Sequence, residues 1–155
     1  MRGVYQLSLQ TPSGILGGRT LMFAVAPPTK VVEILSAKVT NLDVDTAEQL
    51  EAGIFRINAF NSFVVDSSGV AQKSEVGDVD TGVNISGSIT DGEPTYNVSP
   101  IDRQGFNNLA GYFFDPIPED RPVIAPGGAI GVRLLTGPAT NATTFDVQLN
   151  IREIG

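Results

Sequence analysis

Hydrophobic and polar residues alternate most clearly near the end of the chain. Phe145, Val147, Leu149 and Ile151 fall on one face of an extended segment, and the polar residues between them fall on the other. Four repeats of period two are typical of an antiparallel strand with one buried face. The pattern therefore predicts a half-buried strand over residues 145–152.

Shorter segments of the same kind recur along the chain. They are rich in apolar and β-branched residues and lie at 5–9, 21–25, 30–39, 53–60, 83–89, 111–114 and 129–135. Clusters of Gly, Pro, Ser and Asp separate them at intervals of roughly 8–12 residues, which is typical of β-sandwiches and barrels. We therefore predict an all-β fold, a jelly-roll-like antiparallel sandwich of about eight strands.

One short helix is expected within this β pattern. Thr46 can cap a helix N-terminus, and Gln49, three residues later, completes a capping box. The predicted helix covers 46–51, or about two turns, and would decorate a connection. The proline-rich segment 115–122 is predicted to contain no helix, because proline removes a backbone donor and clashes with the preceding turn.

The length of 155 residues predicts a single domain over 1–155, and the hydrophobic fraction of 41% is enough for a core of this size. No repeat or linker divides the sequence. Residues 1–29 leave two interpretations open. They supply the first strands of the sandwich, or they include an N-terminal arm that extends onto a neighbouring subunit.

The residues that are missing exclude most catalytic chemistry. The chain has no His, no Cys and no Trp. A Ser–His–Asp triad, a cysteine nucleophile, an iron–sulfur cluster and an ordinary zinc site all require one of the first two. We therefore expect a protein that is not an enzyme, with no catalytic, cofactor-binding or metal-binding residues, no cofactor and no disulfide.

Two groups of acidic residues are the remaining candidates for acid–base or calcium chemistry. The groups are Asp43, Asp45, Glu48 and Glu51, and Glu75, Asp78 and Asp80. Calcium takes six to eight oxygen ligands, and neither group matches the spacing of an EF-hand loop. We interpret both groups as solvated acids on loops.

The charge balance argues against nucleic acids and membranes as partners. Seventeen acidic residues against ten scattered basic ones give a net charge of −7. Binding to phosphates depends on clustered Lys and Arg, which the sequence lacks. No apolar run approaches the roughly 18 residues of a membrane span, and the first residues lack the apolar run of a signal peptide. We therefore expect synthesis in the cytoplasm.

Adjacent aromatic residues at 112–114 predict a strand with a large side chain on each face. The core covers one face, and either a second sheet or a subunit interface must cover the other. Together with the apolar face of the first segment, this gives five candidate interface residues. They are Tyr5, Leu7, Leu9, Tyr112 and Phe113.

The order of strands and turns resembles small virion structural proteins of tailed bacteriophages. The segments that carry the resemblance are VVEILSAKV at 31–39, EQL…I-x-R at 48–56, a Gly/Asp-rich crossover at 77–86, P-E-x-R-P…V-R-L at 118–134 and E-I-G at 153–155. The resemblance covers residues 30–155. It implies a β-sandwich that decorates or cements the capsid surface as a homotrimer, bound to the major capsid protein in the virion after synthesis in the host cytoplasm.

Two other functions remain open at this point. A tail, baseplate or head-fibre component would also be a non-catalytic β-sandwich. A carbohydrate-binding β-sandwich module would need exposed aromatic residues on one face, and the eight Phe and three Tyr of this chain are largely assigned to strand cores.

Overall fold

The computed structural model describes residues 3–11, 14–59, 70–75, 77–87 and 93–155. In these residues the chain forms strands β1 to β11, in two antiparallel sheets, and one 3-10 helix. The first sheet has the order β5-β1-β11-β3-β8, and β9 also pairs with β3. Its strands are β1 (Val4–Gln10), β3 (Val31–Asn41), β5 (Val70–Lys73), β8 (Tyr112–Phe114), β9 (Val123–Ile124) and β11 (Phe145–Ile154).

The second sheet has the order β6-β2-β10-β4-β7. Its strands are β2 (Thr20–Val25), β4 (Gln49–Ala59), β6 (Asn84–Ser86), β7 (Thr95–Asn107) and β10 (Ala129–Thr136). Without the short strands β5, β6 and β9, the two sheets have the orders β1-β11-β3-β8 and β2-β10-β4-β7. These are the eight strands of a jelly roll, so the predicted jelly-roll sandwich is confirmed.

The core lies between the inner faces of the two sheets. Buried and half-exposed residues alternate along the whole of β11, which confirms the strand predicted from its pattern. Phe145 and Ile151 of this strand are fully buried, as are Ile34 of β3 and Ile54 of β4. Burial of each such side chain contributes about 1.5–3 kcal/mol to folding.

The helix predicted over 46–51 is wrong. Residues 49–51 begin β4, and the residues before them form a connection that is held by the side chain of Asn108. The Asn108 amide oxygen accepts a hydrogen bond from the Glu48 N–H at 2.8 Å, and its amide nitrogen donates to the Thr46 carbonyl at 2.9 Å. These long-range hydrogen bonds replace the local ones that a capping box would make.

The one helical element of the described residues lies instead in the proline-rich segment. Pro118–Asp120 forms a single 3-10 turn that begins with Pro118. A backbone N–H at this position would have no partner within the helix, so a proline there costs no hydrogen bond. The prediction that this segment contains no helix is therefore wrong for these three residues. Farther back in the chain, β6 covers only part of the strand predicted at 83–89, and Ile89 lies outside the described residues.

The first 29 residues supply strands to both sheets. β1 lies between β5 and β11 of the first sheet, and β2 lies between β6 and β10 of the second. Leu7 of β1 is directly opposite Leu149 of β11. The described part of this segment is therefore built into the sandwich.

Candidate interaction surfaces

Four of the five predicted interface residues lie in the core of their own chain. Tyr5, Leu7, Leu9 and Tyr112 are each at most 2% exposed. The Tyr5 hydroxyl donates a hydrogen bond to the Val79 carbonyl at 2.8 Å. In this structure these four side chains offer no surface to a partner.

Tyr112 is fixed by an acidic neighbour. Its hydroxyl donates a hydrogen bond to the Asp102 carboxylate at 2.6 Å, and Gln104 donates to the same oxygen at 2.8 Å. Burial, and after it the hydrogen bond to Asp102, hold the pKa of Tyr112 well above its ordinary value. The phenol is therefore a structural group in its neutral form.

Phe113, the fifth predicted residue, points the other way. It is 53% exposed and, among the residues that the structure describes, it is the one aromatic side chain with more than a third of its surface in solvent. The Lys38 ammonium lies 5.8 Å from the centre of its ring. Gln104 donates a hydrogen bond to the Phe113 carbonyl at 3.1 Å, which ties this edge of the first sheet to β7.

The first acidic group organises the connections beside it. Asp43 accepts a hydrogen bond from the Thr144 N–H at 2.8 Å, and Glu48 accepts one from the Ala139 N–H at 2.6 Å. The hydrogen bonds from Thr144 hold the pKa of Asp43 below its usual value. These carboxylates therefore join loops that are far apart in sequence.

Other acids of the two groups form ion pairs on the surface. Glu51 pairs with Arg103 and Asp80 pairs with Lys73, and the basic partner lowers the pKa of each carboxyl. Within the described ranges, no three or more acidic side chains come together as a metal site would need.

Four connections lie together at one end of the sandwich, because successive strands of the jelly roll run in opposite directions. They join β1 to β2, β10 to β11, β3 to β4 and β7 to β8, and the strand order of both sheets places them side by side in that sequence. Each connection therefore lies beside the next at this end.

Backbone hydrogen bonds connect these loops to one another. Ile15 and Thr143 exchange hydrogen bonds between the first and second connections, at 2.8 and 3.1 Å. The Gly17 N–H donates to the Pro138 carbonyl at 2.8 Å, and the Leu42 N–H donates to the Thr144 carbonyl at 2.9 Å. This end of the molecule is consequently a braced surface.

Three exposed leucines lie on this braced surface, one on each of three connections. Leu16 is 57% exposed, Leu42 is 48% exposed and Leu109 is 54% exposed. We call this surface the leucine end. Single exposed apolar side chains are ordinary on a protein surface, whereas three at one hydrogen-bonded end of the molecule make that end the candidate for a protein contact.

Sequence patterns give little indication of the leucine end. Leu42 and Leu109 stand among turn residues and Leu16 follows Ile15 in a Gly-rich turn, so neither helix nor strand patterning selects any of the three. The available signal was only a large apolar residue inside a polar loop.

The outer face of the second sheet is covered by aromatic side chains of the same chain. The Tyr96 ring lies against Gly131, where a side chain would collide with it, and it packs edge-on to Phe55 at 5.8 Å. The Arg133 guanidinium lies 4.6 Å from the centre of the Tyr96 ring. The Tyr96 hydroxyl is 2.6 Å from the Thr20 hydroxyl, and burial raises the pKa of Tyr96 well above its ordinary value.

The central part of the outer face of the first sheet consists of polar side chains that are half-buried. We call it the polar face, and its central residues are Gln6, Ser8, Ser36, Lys38, Thr40, Asp146, Gln148 and Asn150. Several of these side chains are hydrogen bonded to one another. Gln6 donates to Gln148 at 3.0 Å, Gln148 donates to Asp146 at 2.9 Å, and Asn150 donates to Ser36 at 2.8 Å.

A groove of about 220 Å³ opens on this polar face near the β5 edge. Its lining residues are Ser8, Leu9, Gln10, Val70 and Asp146. Its volume is below the roughly 300–1,000 Å³ of a pocket that encloses a small molecule, so it can hold only part of a ligand.

Comparisons with protein-family models, with curated proteins and with solved structures found no match to this chain. Among the described residues, no helix has the length and apolar character that crossing a membrane requires.

Proposed function

We propose that this protein is a structural virion protein that binds a phage capsid shell as a decoration or cement protein. Its partner is the major capsid protein, and its place is the outer surface of the capsid. The leucine end carries this proposal. It is a braced surface at one end of a small jelly roll that exposes three leucines, which suits docking onto a repeating protein surface.

The three leucines supply the contact area. Complete burial of one such side chain contributes about 1.5–3 kcal/mol, and each leucine here already has about half of its surface covered. A single copy would therefore bind weakly. The hydrogen bonds between the loops reduce the entropy that is lost on binding, because the surface is already ordered.

Self-association would convert this weak contact into stable binding. The resemblance implies a homotrimer, and three linked copies on three equivalent shell positions gain far more affinity than one. The edge of the second sheet offers a surface for contacts between subunits. β7 bulges away from β4 between Tyr96 and Pro100, and Val98 on this bulge is 95% exposed.

Co-sedimentation with capsid shells tests the proposal. The probe is empty shells assembled from the major capsid protein that is encoded nearest to this gene. The wild-type protein should sediment with the shells and raise their melting temperature. Leu42→Asp and Leu109→Asp should each abolish sedimentation, since they bring a charge into an apolar contact.

Ile117→Asp is the matched control. Ile117 is 61% exposed and lies on the connection between β8 and β9, at the opposite end of the sandwich. This variant should bind shells as the wild type does. Shells that never retain the wild-type protein would overturn the proposal. Retention on purified tails or baseplates would favour the alternative of a tail or baseplate component.

A further inference from the structure

We propose that the polar face of the first sheet binds a neutral glycan chain, with Phe113 as the platform for one sugar ring. This site is separate from the leucine end and does not depend on the capsid-binding function. The side chains that would bind the glycan come from five strands. The strand register aligns them in two rows that run across the sheet, from one strand to the next.

The register places one complete row across the sheet. Val70 of β5 is opposite Ser8 of β1, Ser8 is opposite Gln148 of β11, Gln148 is opposite Lys38 of β3, and Lys38 is opposite Phe113 of β8. Residues directly opposite in antiparallel strands point to the same face of the sheet. The row therefore runs about 19 Å from the groove at Val70 to the exposed ring of Phe113.

A second row runs beside the first and contains only neutral polar side chains. Gln72 is opposite Gln6, Gln6 is opposite Asn150, and Asn150 is opposite Ser36. Amides and hydroxyls both donate and accept hydrogen bonds, so they match the hydroxyl groups of a sugar in either direction. The hydrogen bonds from Gln6 to Gln148 and from Asn150 to Ser36 keep these side chains ordered before a ligand arrives.

The composition of the two rows favours a glycan over a protein or a nucleic acid as the partner. The centre of a protein–protein interface is apolar and aromatic, whereas the centre of this face consists of amides and hydroxyls apart from Lys38 and Asp146. Nucleic acid would need several unpaired cations, and Lys38 is the only charged residue in the two rows. A neutral, elongated and hydroxyl-rich polymer fits the hydrogen-bonding groups, the low charge and the single aromatic platform.

The aromatic ring is placed for stacking. Phe113 is at the edge of the sheet, with 53% of its surface exposed, and Lys38 lies over it at 5.8 Å. A sugar ring presents C–H groups on its flat side, which pack on an aromatic face, while the Lys38 ammonium can donate a hydrogen bond to a ring hydroxyl.

Titration of the intact protein with defined neutral hexasaccharides tests the proposal. The probes are cellohexaose, maltohexaose, xylohexaose, mannohexaose and chitohexaose, and the readouts are calorimetry and nuclear magnetic resonance of the side-chain amides. At least one probe should bind and shift the Gln6, Gln148 and Asn150 amide signals. Phe113→Ala should weaken its binding about tenfold or more, and so should Gln148→Ala.

Val79→Ala is the matched control, since it removes a side chain that is 55% exposed and lies before β6, outside both rows, and it should leave glycan affinity unchanged. Circular dichroism establishes that the variants are folded, and exposure of Phe113 makes its replacement safe for the fold. The proposal is overturned if no probe binds at millimolar concentration, or if binding survives both Phe113→Ala and Gln148→Ala. Chemical cross-linking of this face to another protein, in place of glycan binding, also overturns it.

Discussion

The Glu153 carboxylate and the Lys30 ammonium form an ion pair of 2.6 Å, in which the glutamate side chain is only 1% exposed. The second carboxylate oxygen accepts hydrogen bonds from the Thr81 hydroxyl at 2.5 Å and from the Gly82 N–H at 2.7 Å. One buried side chain near the end of β11 therefore joins the residue before β3 to the segment before β6.

Glu153→Gln should destabilise the protein in a pH-dependent way. Burial alone would raise the pKa of Glu153, but hydrogen bonds from Lys30, Thr81 and Gly82 outweigh it and leave the pKa below its ordinary value. A lowered folded-state pKa stabilises the protein above the unfolded value of about 4.3, and this stabilisation disappears as the pH falls through the folded-state pKa. The variant should lose about 1–3 kcal/mol at neutral pH.

Urea denaturation of wild type and variant at pH 7 and pH 3 measures this effect. The difference in unfolding free energy should shrink at the lower pH. Asp80→Asn is the control, because it removes an ion pair whose acidic partner is 93% exposed, and it should leave stability unchanged. A difference that stays constant with pH would show that Glu153 acts through packing alone.

The tyrosines should resist ionisation until the protein unfolds. The chain has three, Tyr5, Tyr96 and Tyr112, and burial is the main cause that raises the pKa of each. Because the unfolded value is about 10, this contribution to stability is complete below pH 10 and is lost as the pH rises above it. Phenolate absorbance should therefore appear together with unfolding, whereas protein in urea should titrate near pH 10. A native protein with half of its phenolate formed at pH 10 would contradict the structure.

Gly131→Ala should disturb the aromatic cover of the second sheet. A β-carbon at this position would overlap the Tyr96 ring, so the ring must move away from Arg133 and Thr20. We expect a loss of about 1–3 kcal/mol, which is typical of overpacking. Gly105→Ala is a matched control in β7, where the nearest atom is 3.8 Å away, and it should not be destabilising. Equal stability of the two variants in thermal unfolding would argue against this packing.

The oligomeric state can be tested at the β7 bulge. Light scattering at micromolar concentration should give the mass of a trimer for the wild type. Val98→Asp should give a monomer, because it places a charge on the proposed contact between subunits, and Ile117→Asp should remain a trimer. A wild-type protein that is monomeric at every concentration would refute the proposed trimer.

Much of the fold can be predicted from local patterns, because a strand with one buried face repeats every two residues. The alternation in β11 and the turn residues between segments were sufficient for an all-β sandwich. The helix predicted over 46–51 is wrong because a distant residue determines the conformation of this segment. The side chain of Asn108, about 60 residues farther along the chain, supplies the hydrogen bonds that decide the conformation before β4. No local rule contains that information.

The candidate surfaces were harder to predict than the fold. Phe113 was identified because adjacent aromatics in a strand must point to opposite faces. Its neighbours on the polar face could not be named, because the row from Ser8 to Lys38 exists only once β11 is placed between β1 and β3. The leucine end likewise depends on the sheet order that brings separate loops together.

The last two strands of the chain occupy the middle of the two sheets. β11 lies between β1 and β3, and β10 lies between β2 and β4. While the ribosome is still making residues before 129, the earlier strands have open edges and lack the strand that will separate them. Such topologies fold slowly, in roughly milliseconds to seconds, because distant segments must meet first. The nascent chain is therefore most exposed to aggregation until β10 and β11 have been made.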